Sequence, residues 1–254
     1  MIKLKTAEEI KILRAGGKRL AFILNELKKA VKPGITTREL DTMARELVAA
    51  EGDSPSFLNY KPRGVKVAYT AALCVSVNEE VVHGIPGERT LKTGDVVSLD
   101  LGLNHQGLFL DSAITTTVGP VSAGLEKLIT ITRDALFAGV AAIKKGAYTG
   151  DIGHAIEGYA FKNGYGLVEG LGGHGVGHKV HEDPEVPNSG IPRTGDKLVP
   201  GMVIAIEPMF TLGSGEVKCL PDQYTYITTD NSLSAHWEHT IYINDKYEGE
   251  ILTK

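Results

Sequence analysis

The sequence predicts an α+β fold with largely antiparallel pairing. Two observations carry this. Helical and strand-like patterns come in blocks instead of alternating one by one. The same block plan then occurs twice, at an offset of 112 residues and without a gap.

The elements follow in order. Thr6 is placed to cap a helix, with Glu9 three residues on to complete a capping box. Apolar residues then recur at helical spacing through Ile10, Leu13, Leu20, Ile23, Leu24 and Leu27. Pro33-Gly34 stops that helix. Thr36 or Thr37 caps the next, which runs through Leu40, Met43, Ala44 and Leu47 to Gly52. At the repeat offset Gly34 meets Gly146, Thr37 meets Thr149, Glu39 meets Asp151, Leu40 meets Ile152, Leu47 meets Tyr159 and Gly52 meets Gly164. The stretches before the turns, 20–31 and 132–143, are both helical in pattern. Strands are expected at 71–77, 96–103, 108–118, 202–206, 224–228 and 240–243, all rich in β-branched residues. Residues 1–254 thus read as one domain of two repeated halves, about 6–118 and 121–245, with a site expected where the halves meet.

Composition narrows the function. The 254 residues are 42% hydrophobic and 23% charged, ordinary for a globular protein. A net charge of -4 gives no field that favours nucleic acid or an anionic membrane. Two cysteines, Cys74 and Cys219, do not make a disulfide framework and fit a reducing compartment. The N-terminal stretch is charged and lacks a signal-peptide block, and no apolar run would span a bilayer. A cytoplasmic location is expected. Glycine crowds 170–177, which marks tight turns or a backbone in close approach.

Acidic residues then occur where burial is expected. Asn104 to Gly107 reads as a four-residue turn, which pairs Leu103 with Leu108 and sets Asp100 opposite Asp111. Like charges facing each other destabilise a hairpin. Either one of them reaches solvent, or the pair needs a cation, a shared proton or strong donors. Glu207 follows the apolar run Val203–Ile206, and Glu238 opens another apolar strand. His174 lies among the glycines. Four carboxylates and one imidazole would make an oxygen-rich site for Mn, Fe, Co or Zn, with too many ligands for one ordinary catalytic zinc.

The order Asp100, Asp111, His174, Glu207, Glu238 resembles the five-ligand pattern of the methionine aminopeptidases and their pita-bread relatives. The segments Val77–Pro86, Gly173–His178, His181–Pro184, Ile206–Met209 and Glu238–Thr240 carry the likeness along nearly the whole chain. It implies a pita-bread fold, a pseudo-two-fold antiparallel sheet flanked by helices. It implies two divalent ions (Co, Mn, Fe or Zn), with Asp111 and Glu238 bridging, Asp100 on one ion, and His174 and Glu207 on the other. It implies catalytic roles for Glu207, His83 and His181, with both histidines touching substrate. Tyr60, Tyr69, Cys74 and Trp237 are candidates for the methionine pocket. Three departures stand out: Leu110 before the second Asp, Val82 before His83, and a slightly long segment at 60–69.

The activity so implied is removal of the initiator methionine when the second residue is small. Its partners would be nascent polypeptide N-termini. The ribosome stays open as a docking partner, no nucleic-acid or membrane partner is expected, and a monomer is. The short spacing from His181 to Glu207 fits the type I class. Two rivals share the fold. A proline-specific peptidase is expected to carry a large N-terminal domain ahead of the repeat that starts near residue 6. A non-enzymatic binding protein is expected to lose ligands.

Overall fold

Helices and strands were located in a computed structural model that describes residues 2–62 and 64–254. Met1 lies outside it, as does Arg63 within the 60–69 segment. Helix α1 (Ala7–Ala30) starts at a capping box. Thr6 Oγ1 accepts from the Glu9 amide, and the Glu9 carboxylate accepts from the Thr6 amide at 2.7 Å. Helix α2 (Thr37–Ala49) repeats the device with Thr36 and Glu39, so Thr36 is the cap and Thr37 the first helical residue. Strands β1 (Ser54–Pro55), β2 (Leu73–Val77), β3 (Glu80–Val82), β4 (Val96–His105) and β5 (Leu108–Thr117) follow.

The second half opens with α3 (Ala123–Ala141) and α4 (Thr149–Asn163). The N-cap of α4 is Tyr148, whose amide donates to Asp151 at 2.8 Å. Tyr148 stands 112 positions after Thr36, and both make an isolated bridge, Thr36 with Thr90 and Tyr148 with Lys197. The paired turn glycines match too: φ is 91° at Gly34 and 85° at Gly146, 82° at Gly52 and 71° at Gly164. The later strands are β6 (Gly166–Leu167), β7 (Gly172–Gly175), β8 (Glu182–Pro187), β9 (Val203–Ile206), β10 (Met209–Thr211), β11 (Val217–Cys219), β12 (Tyr226–Thr228), β13 (Ser234–His236), β14 (Glu238–Ile243) and β15 (Gly249–Ile251).

One antiparallel sheet runs β1-β4-β5-β14-β9-β7-β8, with β2 also on β4 and β15 also on β14. Two three-stranded sheets, β13-β10-β6 and β11-β12-β3, flank it. Two helix-to-sheet cores cover one face. Leu99, Leu101, Leu103 and Leu110 join α1 and α2 in the first, and Ile204, Ile241 and Ile243 join α3 and α4 in the second. Strand side chains alternate faces. Asp100, Asp111 and Glu238 have the opposite parity to these apolar neighbours and lie on the face away from the helices.

The β4–β5 hairpin differs from the expected one. His105 pairs with Leu108, and the turn is the two residues Gln106 and Gly107, with φ of 52° and 85°. Positive φ at both central positions suits the twist of a two-residue hairpin. Asp100 therefore pairs with Ala113 and Asp111 with Gly102. A slip of two residues preserves parity, so the acids are diagonal neighbours on one face rather than directly opposed.

The glycine-rich segment forms β7, squeezed between β8 and β9. A Cβ on Gly173 would sit 2.1 Å from the Ala205 carbonyl oxygen, and one on Gly175 would sit 2.1 Å from that of Asp183. This close approach seats His174 against the sheet.

Candidate active site

A cavity of about 450 Å³ opens on the sheet face opposite the helices. Asp100, Asp111, His174, Glu207 and Glu238 all reach it, as do His83 and His181. Ligand atoms of Asp100, Asp111 and Glu238 lie within 4.8 Å of one another, and so do those of His174, Glu207 and Glu238. The acids thus converge from β4, β5, β14 and the residue after β9.

Their frame is tightly bonded. Thr240 Oγ1 donates to the Asp111 carbonyl at 2.7 Å and accepts from the Asp111 amide at 2.9 Å. Ser112 Oγ donates to the Glu238 carbonyl at 2.7 Å, and Asn188 Nδ2 donates to that of Glu207 at 3.0 Å. His174 Nδ1 donates to the Gly175 carbonyl at 2.9 Å. A carbonyl only accepts, so the ring proton is on Nδ1 and Nε2 presents a lone pair to the cavity.

The carboxylates themselves are poorly served. Asp100 Oδ1 and Glu238 Oε1 are buried with no hydrogen-bond partner among the described residues. Burial raises the Asp100 carboxyl to about 7. Burial, then repulsion from neighbouring acids, holds Asp111, Glu207 and Glu238 well above the usual carboxylate range. Buried charge without compensation costs several kcal/mol per ion. A divalent cation would supply that compensation, and a donor set of carboxylates plus one imidazole lone pair fits it.

The histidines stay neutral. Burial lowers His83 and His174 to about 4. His181 falls to about 3, first by desolvation and then by His174 and His83. His181 lines the cavity from an otherwise exposed position. Its Nδ1 lies 2.9 Å from the Tyr60 hydroxyl. His83 adopts φ 59° and packs edge-on to Tyr226.

Of the expected pocket residues, Tyr60, Tyr69 and Cys74 line the cavity. The Tyr69 hydroxyl donates to the Gly84 carbonyl at 3.0 Å. Burial, then Asp100, pushes the Cys74 thiol up, so it lines the wall as a neutral group. Trp237 does not line the cavity and corrects the expectation. It lies between β13 and β14 and packs on the second core. Phe57, Tyr224, Tyr226 and Met209 line the wall instead. Sequence reasoning missed them because they come from loops and short strands without clear periodicity. Tyr224 donates to the Val67 carbonyl at 2.7 Å, which ties Val67 to the cavity wall.

Among the described residues, no helix is long and apolar enough to cross a membrane. Residues 11–245 match the family model for metallopeptidase family M24. A methionine aminopeptidase of Clostridium perfringens is 47% identical, over 96% of this chain and 95% of its own length. The crystal structure of methionine aminopeptidase from Thermotoga maritima is 40% identical with a TM-score of 0.95, covering 100% of both chains. The Xaa-Pro dipeptidase of Bacillus anthracis shares the fold at a TM-score of 0.77, but at 24% identity and with only 62% of its length covered. By its family match and its full-length relatives, this chain belongs to metallopeptidase family M24, on the branch of the methionine aminopeptidases.

Proposed function

We propose that this chain is a cytoplasmic, monomeric aminopeptidase that removes the initiator methionine from nascent polypeptides whose second residue is small. The observation that carries the reading is the knot of buried acids with orphaned oxygens at the floor of an apolar-walled cavity. Asp100, Asp111 and Glu238 would hold one divalent ion, and Asp111, Glu238, His174 and Glu207 a second, each of them Co, Mn, Fe or Zn. Two such ions supply a nucleophilic water at neutral pH and Lewis acidity toward a carbonyl.

The chain's own groups do the rest. Glu207 takes the proton of the attacking water and returns it to the leaving amine. Tyr60 donates its hydroxyl proton to His181 Nδ1, which leaves the proton on Nε2. Neutral His181 then donates from Nε2 to the carbonyl oxygen as negative charge develops there. His83, kept neutral by burial, lies beside the substrate amide. Tyr60, Tyr69, Phe57, Cys74 and Met209 offer a methionine thioether an aromatic and sulfur-rich wall.

The test is turnover of Met-Ala-Ser by metal-depleted protein, alone and after addition of Mn, Co or Fe. Activity is expected only on addition. Full turnover by protein shown to be metal-free would overturn the reading.

A further inference from the structure

His236 is a buried imidazole that neither the cores nor the steps above use. It is 1% exposed, and neither ring nitrogen has a hydrogen-bond partner among the described residues. Its Nε2 lies 3.7 Å from Glu207 Oε2. Leaving two ring nitrogens idle in a dry interior carries a penalty of about 1–3 kcal/mol per group. Such a residue calls for an explanation.

Consider what Glu207 needs. Its main chain is anchored by Asn188, yet its carboxylate accepts no hydrogen bond among the described residues. Two basic groups come within 4.0 Å of it there. His174 Nε2 is 3.5 Å from Oε1, and His236 Nε2 is 3.7 Å from Oε2. His174 spends its only proton on the Gly175 carbonyl, so its Nε2 cannot donate. His236 is therefore the one that can. Buried N–H groups without an acceptor are rarer than acceptors without a donor. The single proton of neutral His236 accordingly belongs on Nε2, where a carboxylate oxygen waits.

The backbone of His236 is fixed for the task. Thr115 Oγ1 donates to its carbonyl at 2.6 Å and accepts from its amide at 2.9 Å, and Ser98 completes the chain at 2.9 Å. His236 also pairs with Met209, two residues beyond Glu207. β13, which carries His236, is thus held in register with β10, which begins two residues after Glu207.

We infer that His236 is the positioning residue for Glu207, donating from Nε2 to Oε2 and so holding the carboxylate in one rotamer. A movement of roughly half an ångström brings this separation to hydrogen-bond distance. Oε1 is thereby turned toward the acid cluster. This rests on the role proposed for Glu207 above.

The experiment pairs His236→Met, which keeps the volume and removes the donor, with His236→Gln, which restores an N–H. Three properties are read: kcat and KM on Met-Ala-Ser, Mn affinity by calorimetry, and the imidazole 15N resonances of the wild type and of Glu207→Ala. His236→Met should lower kcat about tenfold or more with KM within about twofold, and weaken Mn binding by about 10–100-fold. His236→Gln should recover most of both. The wild type should show the proton on Nε2, and Glu207→Ala should shift that resonance. Wild-type values in His236→Met, a Gln variant no better than Met, or a proton on Nδ1 would each overturn the proposal. The 15N arm decides even where His236→Met fails to fold. A wild type inactive on Met-Ala-Ser would refute the aminopeptidase reading while leaving the resonance result standing.

Discussion

Asp111 has one donor of its own, the Ser112 amide at 3.0 Å, and acids on both sides. Converting it to Asn removes a charge that its surroundings do not compensate. Asp111→Asn should therefore lose most Mn affinity by calorimetry, while melting in excess chelator stays at or above the wild-type temperature. Wild-type protein should gain stability on adding Mn, because a ligand that binds only the folded state raises it. A clear drop in apo stability would assign Asp111 a structural role. In the proposed reaction His181 would touch substrate instead of holding the acids together. His181→Ala should lower kcat by roughly two to three orders of magnitude with metal content unchanged, measured by steady-state kinetics beside elemental analysis. Asp100, Asp111, Glu207 and Glu238 stand out in the sequence because charge interrupts an apolar period, whereas His174, in a run of glycines, stands out only beside them. His236 does not, although it stands two residues before Glu238 and so shares its parity. A histidine in a strand is bland until the carboxylate across from it is placed.

At the N-terminus of α1, Glu9 closes the capping box and also accepts from His178 Nε2 at 2.8 Å, so the cap reaches the end of the glycine-rich segment. The amide of Thr6 is the largest cause, and His178 the next, that lowers the Glu9 carboxyl to about 2. A lowered acid contributes stability that is present above its unfolded value and lost as pH falls through the folded one. Glu9→Ala should thus lower Tm at pH 7 by about 2–4 °C, for a box worth roughly 1 kcal/mol. The difference should shrink between pH 4.5 and pH 2, followed by thermal melts of both proteins. An unchanged gap across that window would show that the charge contributes nothing. The capping boxes of α1 and α2 were readable because every partner lies within three residues. The β4–β5 register was not. Parity fixes the face of each side chain, but strand length depends on whether Gln106 accepts a left-handed backbone, and glutamine carries no strong signal for that.

For the molecule as a whole, the cavity sets what is cut. Peptides beginning Met-Ala, Met-Gly or Met-Ser should be hydrolysed, and Met-Lys or Met-Phe poorly, because the proposed reading places the second side chain beside His83. N-formyl-Met peptides should fail, since their amine is blocked. Leu in place of Met should lose about 1–3 kcal/mol in kcat/KM, the range open to a pocket that differs only in shape. The measurement is kcat/KM across this series, and efficient cleavage of an X-Pro peptide without activity on Met-Ala would reverse the assignment. The duplicated plan was legible at this scale because turns, caps and stops recur at one spacing. The loop walls at 57–69 and 223–226 were not, because a long-range tie such as Tyr224 to Val67 leaves no local pattern.

Strands β5 and β14 meet through the pairs Ser112–His239 and Ala113–Glu238. A chain opened at the exposed link Gly119–Pro120 would divide the cluster, leaving Asp100 and Asp111 on one piece and His174, Glu207 and Glu238 on the other. Neither fragment would own a complete set, and tight cation binding would report that the two had found each other. The ion would then act as a clasp between independently made parts, tying their reassembly to the same chemistry that serves the intact chain.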